Sequence, residues 1–271
     1  MAVVEHGSAE EHDLNWLSSP YWPRLSNDGS EVVFTDQSEH AGHNYSVYIR
    51  KTDGYPAVRI GEGGFAINLS ADGKWALLVL PGDPRLQVVP VGAGQTRVLQ
   101  WDGIFPRWGC LFPDGQHILF ENSPSAANPG VYVADMSGAP PKLLSTEVRD
   151  VGLVSPDGKS FFGQRKEQAV VHSIADNSDT PIRGLNPNEE PIAWAADSKH
   201  VFTQSSSATG VVLTRLDLES GRREPWQVIK PKDQIGLRPM ATPVGITTDG
   251  RWIAFTYGTQ NGQLYATDGL K

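Results

Sequence analysis

A chain of 271 residues has room for two ordinary domains or one large β domain, and 31 acidic against 23 basic residues give it a formal charge of -8. No basic run offsets that charge, which argues against nucleic-acid phosphates or an anionic membrane surface as partners. Cys110 is the one cysteine, so an internal disulfide and a cysteine-based zinc site are ruled out, and no stretch of 18 apolar residues offers a membrane span.

Residues 1–11 read as a polar, frayed N-terminus, and Met1 to Gly7 lack the charged and apolar regions of a signal peptide, so a soluble chain is expected. The segment Asp13 to Leu17 precedes the first repeat where an outer strand would stand. Trp22 to Ser26 then reads as an inner strand, Asn27-Asp28-Gly29 as a tight turn and Glu31 to Asp36 as a second strand. Ser46 to Arg50 and Ala57 to Ile60 follow as third and fourth strands, separated by the turn Thr52-Asp53-Gly54.

This unit recurs, with turn aspartates at Asp28, Asp72, Asp114, Asp157, Asp197 and Asp249, spaced 44, 42, 43, 40 and 52 residues apart. A period near 40 with short strands on both sides of each turn points to a β-propeller with one repeat per blade. Third strands are expected at Leu86 to Val91, Val131 to Asp135, Val170 to Ala175, Val211 to Asp217 and Gln263 to Thr267. Fourth strands are expected at Thr96 to Leu99, Lys142 to Leu144, Ile182 to Leu185 and Arg223 to Trp226. The sixth repeat has no fourth strand before the sequence stops, so Asp13 to Leu17 is assigned to it. The expectation is an all-β, six-bladed propeller of four-stranded antiparallel blades over residues 12–271, a single domain whose last blade is closed by the N-terminal strand.

Before each turn stands a large apolar residue: Leu25, Leu69, Leu111, Val154, Trp194 and Ile246, as packing between blades requires. Five positions before each turn motif stand Tyr21, Phe65, Arg107, Asp150, Glu190 and Thr242, which should lie near one mouth of the channel. Arg24, Arg107, Arg149 and Arg238 share these segments with aromatic residues. The expected ligand-binding set is therefore Tyr21, Arg24, Phe65, Arg107, Arg149, Asp150, Glu190 and Arg238, suited to a peptide carboxylate or another acidic ligand. The long connection Gln227 to Thr242 is a candidate partner-binding loop.

The turn aspartates are accounted for by their own backbone bonds rather than by metal or catalysis. His40 and His43, near Asp36 and Glu39, fit a solvated loop better than a metal site. The apolar setting of Cys110 makes it a structural thiol. No nucleophile elbow, zinc-hydrolase helix motif or complete dinucleotide fingerprint occurs, so no catalytic residue, metal or cofactor is assigned. A carboxylate pair such as Asp150 and Glu190 facing each other across the channel keeps a hydrolase or lyase open as the alternative.

The Ser-x-Asp-Gly turns, with third strands such as Val131-Tyr132-Val133-Ala134-Asp135 and Leu264-Tyr265-Ala266-Thr267-Asp268, resemble the WD40-like (PD40) repeats of TolB-type propellers. Asn44 to Gly54, Arg59 to Gly63, Gly221 to Trp226 and Leu264 to Lys271 resemble, more closely, the C-terminal sensor propeller of bacterial, acidobacterial-type serine/threonine protein kinases. The resemblance implies a noncatalytic sensory or interaction module, and a monomer is expected. It also implies an extracytoplasmic setting in a bacterial membrane kinase, with a protein, peptide or small molecule as the partner. No Asp-Phe-Gly or His-Arg-Asp occurs here, so phosphoryl transfer is not expected of this chain.

Overall fold

The computed structural model describes residues 1–15, 19–38, 45–80, 82–207, 210–230 and 244–258. These residues form six antiparallel sheets arranged as the blades of a propeller, with no helix among them. The first blade runs β3 (Pro20–Leu25), β4 (Glu31–Asp36), β5 (Ser46–Lys51), β6 (Val58–Glu62), and the second β7 (Phe65–Leu69), β8 (Trp75–Val79), β9 (Arg85–Pro90), β10 (Arg97–Gln100). The third holds β11 (Pro106–Leu111), β12 (His117–Asn122), β13 (Gly130–Asp135) and β14 (Lys142–Ser145). The fifth holds β18 (Glu190–Trp194), β19 (His200–Ser207), β20 (Gly210–Asp217) and β21 (Arg223–Ile229).

The fourth blade departs from the pattern. Its sheet has three strands, β15 (Ser160–Arg165), β16 (Gln168–Ser173) and β17 (Ser178–Pro181), and the inner position is held by isolated bridges from Arg149 to Gln164 and from Val154 to Phe161. Its outer strand lies at Ser178–Pro181 rather than at the expected Ile182 to Leu185. Asn177, with φ at +53°, completes a tight turn that lets pairing resume at once, Ser173 opposite Ser178.

The last blade corrects the sequence reading. It is built from β22 (Gly245–Ile246), β23 (Trp252–Phe255), β1 (Ala2–Glu5) and β2 (Glu11–Asp13), in the order β2-β1-β23-β22. Residues 1–11 are therefore not a frayed end: Met1, Ala2, Val3 and Val4 are buried, and Val3 pairs with Ala254. The outer strand is Glu11–Asp13, where Asp13 to Leu17 was expected; residues 16–18 lie outside the described residues. The place beside β23 assigned to Gln263–Thr267 is taken by β1, and Gln263–Thr267 also lies outside the described residues. The reason is physical: an open β23 edge must be covered, and Ala2-Val3-Val4 supplies an apolar strand that packs on both sides.

The hydrophobic core lies between blades. Each of the six interfaces has its own buried cluster, such as Val33 and Val47 with Leu69 and Leu78 between the first two blades. β1 serves two of them by strand alternation: Ala2 and Val4 pack with Val211 and Leu213 of the fifth blade, Met1 and Val3 with Val32 and Phe34 of the first.

The turns that punctuate the sequence share one hydrogen-bonded device. Ser26 Oγ donates to Asp28 Oδ1 at 2.6 Å and accepts from the amide of Glu31 at 3.0 Å, while Asp28 Oδ1 also accepts from the amide of Ser30. Ser70 with Asp72, Ser155 with Asp157 and Thr247 with Asp249 repeat it. Where the hydroxyl is replaced by Phe112 or Ala195, a histidine three residues after the aspartate substitutes. His117 Nδ1 lies 2.6 Å from Asp114 Oδ2, and His200 Nδ1 2.8 Å from Asp197 Oδ2. The Ser26 hydroxyl and the Ser30 groups hold the Asp28 carboxyl below its ordinary value. Gly29 is required twice over: its φ is +71°, and a Cβ there would stand 2.1 Å from the Trp252 ring of the last blade.

Candidate functional site

The inner strands of neighbouring blades lie side by side around the ring axis and enclose a cavity of about 1190 Å³. At one end it is rimmed by small or uncharged turn residues, among them Asn27, Ala71, Pro113 and Pro156. Next come Leu25, Leu69, Leu111, Val154, Trp194 and Ile246, the apolar residues that precede the turns; they line the channel as well as packing between blades. Charge gathers at the opposite mouth, with Arg107, Glu121, Asp150, Glu189 and Glu190.

Local irregularities of the inner strands place these groups. Register shifts fall between Tyr21 and Arg24, Ala66 and Asn68, Pro106 and Trp108, and Pro191 and Ala193, so each of four inner strands bulges at nearly the same height. Trp22 and Asp150, both lining the cavity, take positive φ values of +51° and +48°. For side-chain-bearing residues that conformation costs about 1–2 kcal/mol each, and its concentration at one mouth marks a shaped site.

Three charged arrangements differ in how they are compensated. Arg107 Nε lies 3.2 Å from Glu121 Oε1, and its Nη2 pairs with Asp150. Glu121 is buried and also accepts from the amide of Val151 at 3.4 Å; burial outweighs Arg107 and pushes its carboxyl above the ordinary value. Glu189 is buried too and would be pushed the same way. Here two hydrogen bonds from Arg223, at 2.5 and 3.0 Å, and one from Thr203 win, holding the carboxyl below its ordinary value. Glu190 is exposed at the mouth, oriented by Gln204 Nε2 at 2.6 Å, and makes no ion pair with a described residue.

Arg24 sits deeper. Its Nε donates to Ile67 O at 3.0 Å and Nη1 to Pro23 O at 3.2 Å, and its guanidinium lies 5.7 Å from the Trp108 ring centroid. Removal from water lowers its pKa to about 10, although part of the side chain still faces the cavity. No carboxylate among the described residues pairs with it.

Of the eight residues expected from the sequence, Arg24, Arg107, Asp150 and Glu190 line the cavity. Tyr21 and Phe65 stand behind it against Trp22, at ring separations of 5.1 and 5.3 Å. Arg149 is exposed outside the channel, its backbone bridged to Gln164, because the next residue takes the positive φ that turns Asp150 inward. Arg238 and Thr242, like most of the loop Gln227 to Thr242 and both His40 and His43, lie outside the described residues.

Sequence reasoning missed Glu121 and Glu189. A lone carboxylate ending the apolar run Ile118-Leu119-Phe120 was the available signal for the first. Among the described residues no three His, Cys, Asp or Glu side chains converge as metal ligands. Cys110 is buried and its thiol pushed up to about 12 by that burial, with Sγ 3.6 Å from Gly152 O of the next blade. Its alkylation by iodoacetamide at pH 8 is expected to be negligible in the native protein and complete in denaturant, as followed by intact mass.

No protein-family model matches the sequence, and no curated protein matches it. Solved structures do. TolB from Acinetobacter baumannii superposes with a TM-score of 0.60 at 18% identity, over 85% of this chain and 65% of its own length. The putative TolB from Agrobacterium tumefaciens gives 0.66 at 14%, over 90% of this chain and 93% of its own. The fold is TolB-like. An oligogalacturonate lyase from Vibrio parahaemolyticus shares it, at a TM-score of 0.57 and 14% identity over 85% of this chain and 68% of the lyase. This chain therefore spans under two thirds of the Acinetobacter TolB. No helix of the described residues is long and apolar enough to cross a membrane.

Proposed function

We propose that this chain is a noncatalytic binding module that takes a ligand or a segment of a partner protein into the charged mouth of its central channel. The observation that carries this reading is the cavity itself: an open space of about 1190 Å³ along the ring axis, walled by rigid strands, apolar at the waist and charged at one end. The repeats resembling kinase-borne propellers supply the setting, a sensory domain of a bacterial signalling protein. A thermal-shift screen of metabolites and peptides tests it on three proteins: wild type, Arg107→Gln at the mouth and Arg149→Gln outside the channel. A ligand that raises the melting temperature of wild type and Arg149→Gln, but not of Arg107→Gln, is the expected result. Equal stabilisation of all three would refute the channel as the site.

A second reading, a hydrolase or lyase acting at the same mouth, is favoured by the buried Glu121, whose raised pKa suits a proton donor beside Arg107. The shared fold of the oligogalacturonate lyase makes oligogalacturonate the first substrate to try. Turnover by wild type that Glu121→Gln abolishes would select this reading over the first.

A further inference from the structure

The channel holds two charges that no described residue pairs with an opposite charge, at different depths and of opposite sign. Arg24 is fixed by two main-chain carbonyls from adjacent blades and backed by Trp108, itself 5.3 Å from Trp22 in an edge-to-face contact. Neither carbonyl carries charge, and Nη2 makes no hydrogen bond with a described residue. A guanidinium partly withdrawn from water, with no counter-ion among the described residues, gains from a ligand that supplies one. Its planar fork fits a carboxylate, which accepts two parallel N–H bonds. At the mouth, Glu190 is held in place by Gln204, itself buried and fixed by the amide of Val244 on its Oε1 at 2.9 Å. Arg107 is already shared between Glu121 and Asp150, so among the described residues the mouth carries an excess of negative charge.

We propose that the channel binds the free carboxyl end of a peptide, with Arg24 as the carboxylate anchor and Glu190 as the partner of a basic residue nearer the mouth; this rests on the channel being the binding site. The order of charges decides the class of ligand. A small polyanion would have to pass the acidic mouth to reach Arg24, whereas a peptide carrying a basic residue is attracted at the mouth and presents its terminus deeper. The apolar waist of Leu25, Leu69 and Trp194 takes uncharged side chains near that terminus. Length agrees: an inner strand of six residues, such as β3, rises about 20 Å, and the channel it walls accepts roughly five or six extended residues. Arg24 also ties the first blade to the second, and a purely structural clamp would explain its two carbonyl bonds. That role does not distinguish a carboxylate from an amide, which gives the test its leverage.

The experiment uses the whole chain immobilised and a random hexapeptide pool synthesised twice, once with free and once with amidated C-termini, the retained peptides being sequenced by mass spectrometry. The free-acid pool is expected to be retained at least tenfold better, with Lys or Arg enriched two to five positions before the terminus. Arg24→Gln should abolish the acid-over-amide preference and Arg24→Lys restore part of it. Glu190→Gln should remove the basic enrichment while keeping the acid preference. Glutarate, added as a competitor, is expected to displace little. Equal retention of the two pools, both lost in Arg107→Gln, would overturn the carboxylate anchor while keeping the channel as a binding site. Retention unaffected by Arg24→Gln, Glu190→Gln and Arg107→Gln alike, or no retention of either pool, would overturn both. Binding of glutarate without retention of the free-acid pool would overturn the peptide in favour of a small carboxylic acid. Comparable melting temperatures of the Arg24 variants show that the readout is recognition rather than folding.

Discussion

Val3→Asp lowers the melting temperature by roughly ten degrees or more, because it buries an unpaired carboxylate at a cost of about 4 kcal/mol and each kcal/mol is worth about 2–4 °C in a protein of this size. Val3 is fully buried, paired with Ala254 and packed with Val32 and Phe34 of the first blade, so the new charge would lie inside the seam that shuts the ring. Val98→Asp is the control. Val98 is 55% exposed on the outer strand of the second blade, and its substitution should change stability by less than about 0.5 kcal/mol. Differential scanning calorimetry of both variants separates the cases. A Val3→Asp protein that melts within a degree or two of wild type would show that β1 does not close the ring and would return the place beside β23 to the repeat-matched Gln263–Thr267.

Arg223→Ala is expected to cost about 1–3 kcal/mol at neutral pH, the range for leaving a buried hydrogen-bonding group without one of its partners, since Glu189 is buried while Arg223 is part-exposed. Glu189 would keep its hydrogen bonds from Thr203 and the amide of Asn186 but lose its only cation among the described residues. The pH dependence identifies the cause. In the wild type the Glu189 carboxyl lies below its ordinary value, so its contribution to stability is present above that value, near 4.3, and is lost as pH falls through the lower folded value. In the variant, burial acts unopposed and favours the protonated acid. The gap between the two proteins should therefore be full at pH 7, begin to shrink as pH falls through the variant's raised value, and go on shrinking through the ordinary value of about 4.3 towards the wild type's lower one. Urea denaturation at pH 7, 5.5 and 4 measures it; a gap that stays constant over this range would mean that lost packing of the Arg223 stem, not the stranded charge, is responsible.

What could be read from the sequence follows the range of the interactions involved. Each turn is set by bonds within five residues, Ser26 to Asp28 and Glu31 for instance, so six turns and the order of strands between them were legible. The substitution of His117 and His200 for the missing turn hydroxyls is equally local and could have been read. That the N-terminus closes the last blade was legible as well, from the repeat that lacks its outer strand; that it supplies two strands there was not. Which strand covers β23 is settled by competition between segments at opposite ends of the chain, and the repeat pattern of Gln263–Thr267 outweighed three apolar residues, Ala2, Val3 and Val4, in a sequence reading. At the mouth, spacing brought Arg107, Asp150 and Glu190 to the right height. It misplaced Arg149, because a single positive φ at Asp150 decides which of two adjacent side chains faces inward.

The pairing of β1 with β23 also sets the order in which this molecule can assemble. Glu5 and Arg251, 246 positions apart, meet in an ion pair at 2.8 Å, and every hydrogen bond between their strands spans a comparable length of chain. Loop entropy makes such a closure only slightly less favourable than a shorter one, since each doubling of length costs about 0.6 kcal/mol. It makes the closure late. Blades one to five are each built from neighbouring segments and can stack as they form, while β1 and β2 must wait for β22 and β23. Until then an arc of blades carries an uncovered edge at β23 and two unpaired apolar faces. The ring is thus shut last by the residues that stand first in the sequence, Ala2–Glu5.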